Sequence, residues 1–113
     1  MKHFTAIYQM PVEALNDWMA KSPEERKSAE EKVQGEWNVW TAAHKDTVLN
    51  TISLGKTLRV SKDGVVPTKN GMMLSSYVQA ESTEAAADLF KDHPHLQLPG
   101  ATIDVMEANQ LPQ

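Results

Sequence analysis

The chain contains no cysteine. That removes disulfide cross-links, thiolate metal sites and a cysteine nucleophile together, and it accords with a reducing compartment. Positive charge is also in short supply: 11 Lys and Arg stand against 15 Asp and Glu, for a net charge of −4. The basic residues are scattered, with Arg26-Lys27 as the longest local cluster. Nucleic-acid binders carry a basic patch or stripe, so no nucleic-acid partner is expected. No apolar run approaches the ~20 residues of a membrane-spanning helix. Met1-Lys2-His3-Phe4-Thr5 leads straight into a strand-like pattern, without the apolar core of a leader peptide. The expectation is a soluble cytoplasmic protein with no membrane association. Two catalytic signatures are missing as well. There is no Gly-x-Ser-x-Gly elbow for a nucleophilic serine. There is no phosphate-binding loop either, since Leu54-Gly55-Lys56-Thr57 has the tail of one without its upstream glycine.

What is present reads as one domain of 113 residues, a length that buries about two-thirds of its unfolded surface and needs no staples. Residues 2–10 are rich in β-formers and end at Pro11, which predicts a first strand. Val12, Leu15, Trp18 and Met19 share one helical face over 12–20, a helix of about two turns. Ser22-Pro23-Glu24-Glu25 is the sharpest local signal: a capping serine, a proline suited to the first helical position and acidic residues at the positive helix end. The helix it opens is predicted to run to about Leu49, with an apolar stripe of Ala29, Val33, Trp37, Trp40, His44 and Val48. Gly35 inside it costs roughly 1 kcal/mol relative to alanine. An irregular connection over 50–56 leads to a second strand at 57–61. Lys62-Asp63-Gly64 and Lys69-Asn70-Gly71 bracket a hairpin loop. A third strand covers 72–80, Ser82 caps a helix over 83–91, Pro94 stops that helix, and a fourth strand covers 101–107.

The order β, α, α, β, β, α, β has the symmetry of two β-α-β halves around a hairpin, which is the ferredoxin-like plan. The predicted class is therefore α+β: a four-stranded antiparallel sheet with helices on one face. In the third strand Met72, Leu74, Ser76, Val78 and Ala80 alternate with Met73, Ser75, Tyr77 and Gln79. In the last strand Ile103 and Val105 alternate with Thr102, Asp104 and Met106. The apolar sets suit the helix side. The mixed sets suit a wet cavity or a dimer face.

Three segments carry a family resemblance. Asp63-Gly64-Val65-Val66-Pro67-Thr68-Lys69-Asn70 is similar to a loop leading to a Thr-Lys step. Ser76 to Ser82 followed by Glu84-Ala85-Ala86 is similar to a strand-to-helix transition. His93-Pro94-His95-Leu96 followed by Gly100-Ala101-Thr102-Ile103-Asp104-Val105 is similar to a closing loop and strand. Together they resemble the YCII-related family in its DGPF-type branch, over roughly residues 50–107. Two departures stand out: Val65-Val66 occupies the place of that branch's Pro-Phe, and Asp104 stands where a glutamate is commoner. The resemblance implies a ferredoxin-like subunit that pairs into a homodimeric α+β barrel, each open sheet face covered by its partner's. It also implies a cleft in which a His and an Asp have been proposed to act, in a family largely without an assigned reaction. Related barrels include oxygenases, isomerases and ligand-binding modules, so fold alone does not decide function.

The candidate site residues follow from both readings. His93 is the candidate acid or base, because imidazole titrates near neutral pH, and Asp104 is its candidate carboxylate partner. His95, Tyr77, Ser75, Trp40 and His44 are the candidate ligand-binding residues. Each has a plainer explanation. His93 and His95 also suit a helix C-terminus, where imidazole meets free carbonyls and the dipole. Asp104 also suits a wet interface, paired to a basic residue such as Arg59. Trp37, Trp40 and His44 at helical spacing also suit core packing. Tyr77 also suits a barrel filler with its hydroxyl at the rim. No metal is expected from His93-x-His95 alone, and no cofactor is expected. Three functions remain open: a binding module for a small organic molecule, a small cofactor-independent enzyme performing isomerisation, hydrolysis or proton abstraction, or a purely structural dimer that acts through protein contacts.

Overall fold

The structure, a computed structural model, describes residues 1–112. Its elements are β1 (Lys2–Gln9), α1 (Val12–Met19), α2 (Pro23–Ala43), β2 (Val48–Ser53), β3 (Thr57–Ser61), β4 (Gly64–Thr68), β5 (Met72–Ala80), α3 (Thr83–Leu89), a 3₁₀ turn (Pro94–Gln97) and β6 (Thr102–Glu107). The main sheet has four strands in the order β2-β5-β1-β6, all paired antiparallel. With α2 and α3 against one face, this is the ferredoxin-like α+β arrangement. Among the described residues, no helix is long and apolar enough to cross a membrane.

Both helix starts form as their sequences direct. The Ser22 hydroxyl accepts from the Glu25 amide at 3.2 Å, and the Ser82 hydroxyl accepts from the Ala85 amide at 3.1 Å. The α2 stripe holds as far as the C-cap His44: Ala29, Val33, Trp37 and His44 are half-buried and Trp40 is buried. Phe4, Ala6 and Tyr8 of β1 pack with Val78 and Ala80 of β5, Trp40 of α2, Ala86 of α3 and Phe90 to form the core. This core also holds a polar link. The Tyr8 hydroxyl and the Ser76 hydroxyl are 2.7 Å apart, and Ser76 lies 2.7 Å from the Thr51 hydroxyl on the edge strand β2.

The last few residues of the predicted α2 are where sequence and structure part. The helix ends at Ala43, and Val48–Ser53 is not helix tail or irregular loop but the strand β2 at the sheet edge. Val48 continues the spacing of the helical stripe, which disguises the change of period. The β-branched Val48, Thr51 and Ile52 favour a strand once β5 offers its edge for pairing. The predicted second sheet strand at 57–61 is consequently displaced. It pairs instead with β4, in register Leu58↔Pro67 and Val60↔Val65, as a separate two-stranded arm. Lys62-Asp63 is a tight turn into Gly64, whose φ of 134° only glycine adopts readily. All arm strand residues except Thr57 and Thr68 are exposed. The radius of gyration of 15.8 Å exceeds the ~13 Å of a compact chain of about this length, as expected when an arm stands clear of the body.

Candidate functional site

The C-terminal histidines are placed by the 3₁₀ turn. Pro94 does not stop α3, which already ends at Leu89; it opens the turn as its first residue, where its missing N–H is harmless. His93 caps the turn: its Nδ1 accepts from the His95 amide at 3.0 Å. Both imidazoles then point into the helix side of the sheet. His93 is 1 % exposed and His95 0 %. The His93 ring stands edge to face against Trp37 at 4.3 Å, Trp40 at 4.4 Å and Tyr8 at 5.1 Å between centroids. His95 meets the Tyr8 ring at 5.5 Å. The plainer expectation, that these histidines serve a helix C-terminus as charged partners, does not describe what they do.

Their hydrogen bonds fix where the protons sit. The Gln9 carbonyl can only accept, so His95 donates to it from Nε2 at 2.9 Å and leaves Nδ1 a bare lone pair. His93 uses Nδ1 as an acceptor, so its proton resides on Nε2. Among the described residues, neither His95 Nδ1 nor His93 Nε2 has a hydrogen-bond partner, although both are fully buried. One spare acceptor and one spare donor in an aromatic surround call for an explanation. Burial pushes the His93 imidazole down to about 4, and the neighbouring His95 and His44 push the same way. Burial also lowers His95, against the opposing pull of the Gln9 and Thr102 backbone. Both rings are therefore neutral near pH 7. Burial raises the Tyr8 phenol, partly offset by its bond to Ser76.

Beside His95 opens a cavity of about 460 Å³. Its walls are Trp18 of α1, Ala29, Val33 and Trp37 of α2, Met10, Met73 and Leu74 at the end of the sheet, and Leu98, with Glu30 and Gln34 as further polar lining. Concave, mostly apolar and carrying a few polar groups, it has the size and character of a small-molecule site. α2 creates it by its length. Its 21 residues span about 31 Å, and Trp40 is its one buried residue. The preceding turns of its apolar stripe meet α1 across open space instead of the sheet.

The predicted site residues are divided by the sheet. His93, His95, Trp40 and His44 lie on the helix side. Of these, His95 alone lines the large cavity; Trp40 and His44 border a shallower depression of about 410 Å³ with Glu36, Asp92 and Gln97. His44 stacks on Trp40 at 4.2 Å and donates from Nδ1 to the Trp40 carbonyl at 2.8 Å. Asp104, Ser75 and Tyr77 belong to the opposite, open face. Asp104 is exposed, pairs in register with Ile7, and accepts from Gln9 Nε2 at 2.7 Å. Tyr77 stacks on His3 at 5.1 Å with the rings 6° from parallel. His93 and Asp104 therefore have a sheet between them, and the chain does not bring them together as a pair. Arg59, the other suggested partner for Asp104, is in the arm. Met10, Trp18, Met73 and Leu98 were not singled out as site residues by the sequence. Trp37 and Val33 were, but as core; the one available hint was an apolar stripe longer than a four-stranded sheet is wide. Among the described residues, no three His, Asp or Glu side chains gather as a metal-binding group.

No protein-family model matches the chain, and no curated protein matches it. Among solved structures, the fold is similar to that of 5-chloro-2-hydroxyhydroquinone dehydrochlorinase (TftG) from Burkholderia phenoliruptrix AC1100, in complex with 2,5-dihydroxybenzoquinone. The TM-score is 0.54 and the identity 11%, over 95% of this chain and 93% of that one. At that identity the likeness concerns the fold.

Proposed function

We propose that this protein is a YCII-like domain that binds a small, largely apolar organic molecule in the cavity between α1, α2 and the sheet. The observation that carries the reading is the cavity itself, lined by Trp18, Trp37 and Val33 and bordered by His95, whose Nδ1 is unprotonated and unpartnered. A ring enters between the aromatic walls, and a shift of the lining on binding uncovers the buried His95 Nδ1 for a hydroxyl or N–H of the ring to donate to. The dehydrochlorinase of similar fold is described with a dihydroxybenzoquinone, which supports planar oxygenated rings as the first class to try. The test is a titration with 2,5-dihydroxybenzoquinone and with p-cresol, followed by tryptophan fluorescence and by NMR of the imidazole and indole groups. Shifts at Trp18, Trp37 and His95 that vanish in Val33→Trp are expected. Absence of any shift at these groups at millimolar probe sinks the reading.

A second reading, a cofactor-independent enzyme, draws on the same imidazole. A neutral His95 can take a proton from an acidic O–H or C–H of a bound molecule. His93 and Asp104 would then act apart instead of as one pair. Turnover of a bound probe that is lost in His95→Gln, with binding retained, separates this from simple binding.

We also read the open sheet face as the seat of a second copy. Ile52, Tyr77 and Met106 are 55, 37 and 45 % exposed there, and a face of this mixed kind suits an interface. Sedimentation at micromolar concentration tests it, a dimer being expected.

A further inference from the structure

The β3–β4 arm presents a surface that the cavity reading leaves unused. Its register sets Leu58 opposite Pro67 and Val60 opposite Val65, and strand alternation puts all four on one side of the ribbon. The other side carries Thr57 with Thr68, and Arg59 with Val66. Leu58, Val60 and Val65 are 64, 76 and 57 % exposed, so the apolar side is bare. A lone two-stranded ribbon is marginal in water, and an exposed apolar strip marks a contact surface.

Charge selects the occupant. Lys56, Arg59, Lys62 and Lys69 against Asp63 give residues 54–71 a net +3, which leaves −7 on the rest of the chain's −4. An arm is thus drawn to the body of another copy and repelled by another arm. The dimensions agree. Five residues per strand make a ribbon of about 17 Å, and the first and fourth strands of a sheet are about 14 Å apart. The open face offers Ile52, Tyr77 and Met106 to that strip, with Asp104 as a negative charge among them.

We propose that the arm is exchanged between two copies, the apolar side of each arm lying across the open sheet face of the other. This rests on the two-copy reading above and adds the element that crosses. A two-fold axis makes the contact twice and closes the assembly.

The absence of cysteine makes the test clean. A Val60→Cys chain is mixed with an Ile52→Cys or a Met106→Cys chain and treated with a bismaleimide spanning about one sheet spacing, ~10 Å. Cross-linked heterodimers are expected, with little Val60→Cys homodimer. In parallel, the Leu58→Asp/Val60→Asp double variant, changed only at exposed positions, is expected to raise the dimer dissociation constant at least tenfold while its circular dichroism is unchanged. A monomeric wild-type protein overturns this proposal together with the two-copy reading. A wild-type dimer untouched by the double variant, or one cross-linked arm to arm, overturns the exchange and leaves the two-copy reading standing.

Discussion

Acidification should destabilise this protein through His93, and the size of the effect follows from its burial. The imidazole is 1 % exposed, and its pKa is lowered from 6.5 to about 4. The unfolded chain therefore binds a proton between those limits that the native state refuses. Stability is complete above the unfolded pKa, declines as pH falls through 6.5 toward 4, and gains no further penalty from this group below 4. Linkage gives a loss of about 2 kcal/mol between pH 7.5 and 5, and about 3 kcal/mol by pH 4. Against the 5–15 kcal/mol that ordinary domains possess, roughly, this is a large share from one side chain. His95 is shifted in the same direction and adds to the slope. The assay is urea unfolding at half-unit pH intervals, for the wild type and for His93→Asn. Asparagine can still cap the turn with its side-chain oxygen but cannot titrate. The variant is expected to be less stable at pH 7.5, from lost packing, and to lose about 2 kcal/mol less than the wild type on going to pH 5. Parallel pH profiles, or an NMR titration placing His93 near 6.5, would refute the reasoning.

Four further substitutions probe separate features. Gly35→Ala should stabilise by about 0.5–1 kcal/mol, because the position is exposed in mid-helix and an added Cβ meets nothing within 4 Å; the melting temperature reports it. Gly71→Ala should destabilise by about 1–3 kcal/mol, since its Cβ would fall 2.0 Å from the Met10 carbonyl oxygen; urea midpoints show whether it does. Ser76→Ala should cost about 1–3 kcal/mol by stranding the Tyr8 hydroxyl, and the additional change Tyr8→Phe should recover part of that loss in a double-mutant cycle. Asp104→Asn should move stability by less than about 0.5 kcal/mol, its carboxylate being exposed and, among the described residues, joined only to Gln9; a larger loss in urea unfolding would mean the carboxylate is held by something on the open face.

Much of the framework was legible in residue order because its signals are local. Ser22 and Ser82 announce their helices, and the alternation of Ile103 and Val105 with Asp104 names the two faces of β6. What escaped depends on pairing at a distance. Val48 to Ser53 reads equally as helix tail or strand until β5 lies beside it. Residues 57–61 read as a sheet strand, and only their preference for Gly64–Thr68 over β5 makes them an arm. The site was harder still. Both histidines sit in the segment that looked richest in chemistry, and His95 does line the cavity. Asp104 is nine residues beyond His95 in sequence, near enough to suggest a partner, yet its place on β6 turns it to the other side of the sheet. The tryptophan wall was visible as a stripe, but whether a stripe meets a sheet or a cavity depends on what faces it.

The strand order also determines when the sheet can form. β1 lies at the centre, yet its partners are β5 and β6: Phe4 is in register with Val78 on one side and Glu107 on the other. Nothing made before Met72 can pair with it. During synthesis, at about 5–20 residues per second, this central strand of the sheet waits several seconds with both edges open. Only α1, α2 and the local ribbon can take shape in that interval. Such long-range closure slows folding, and the waiting strand is the segment from which aggregation of the nascent chain would start.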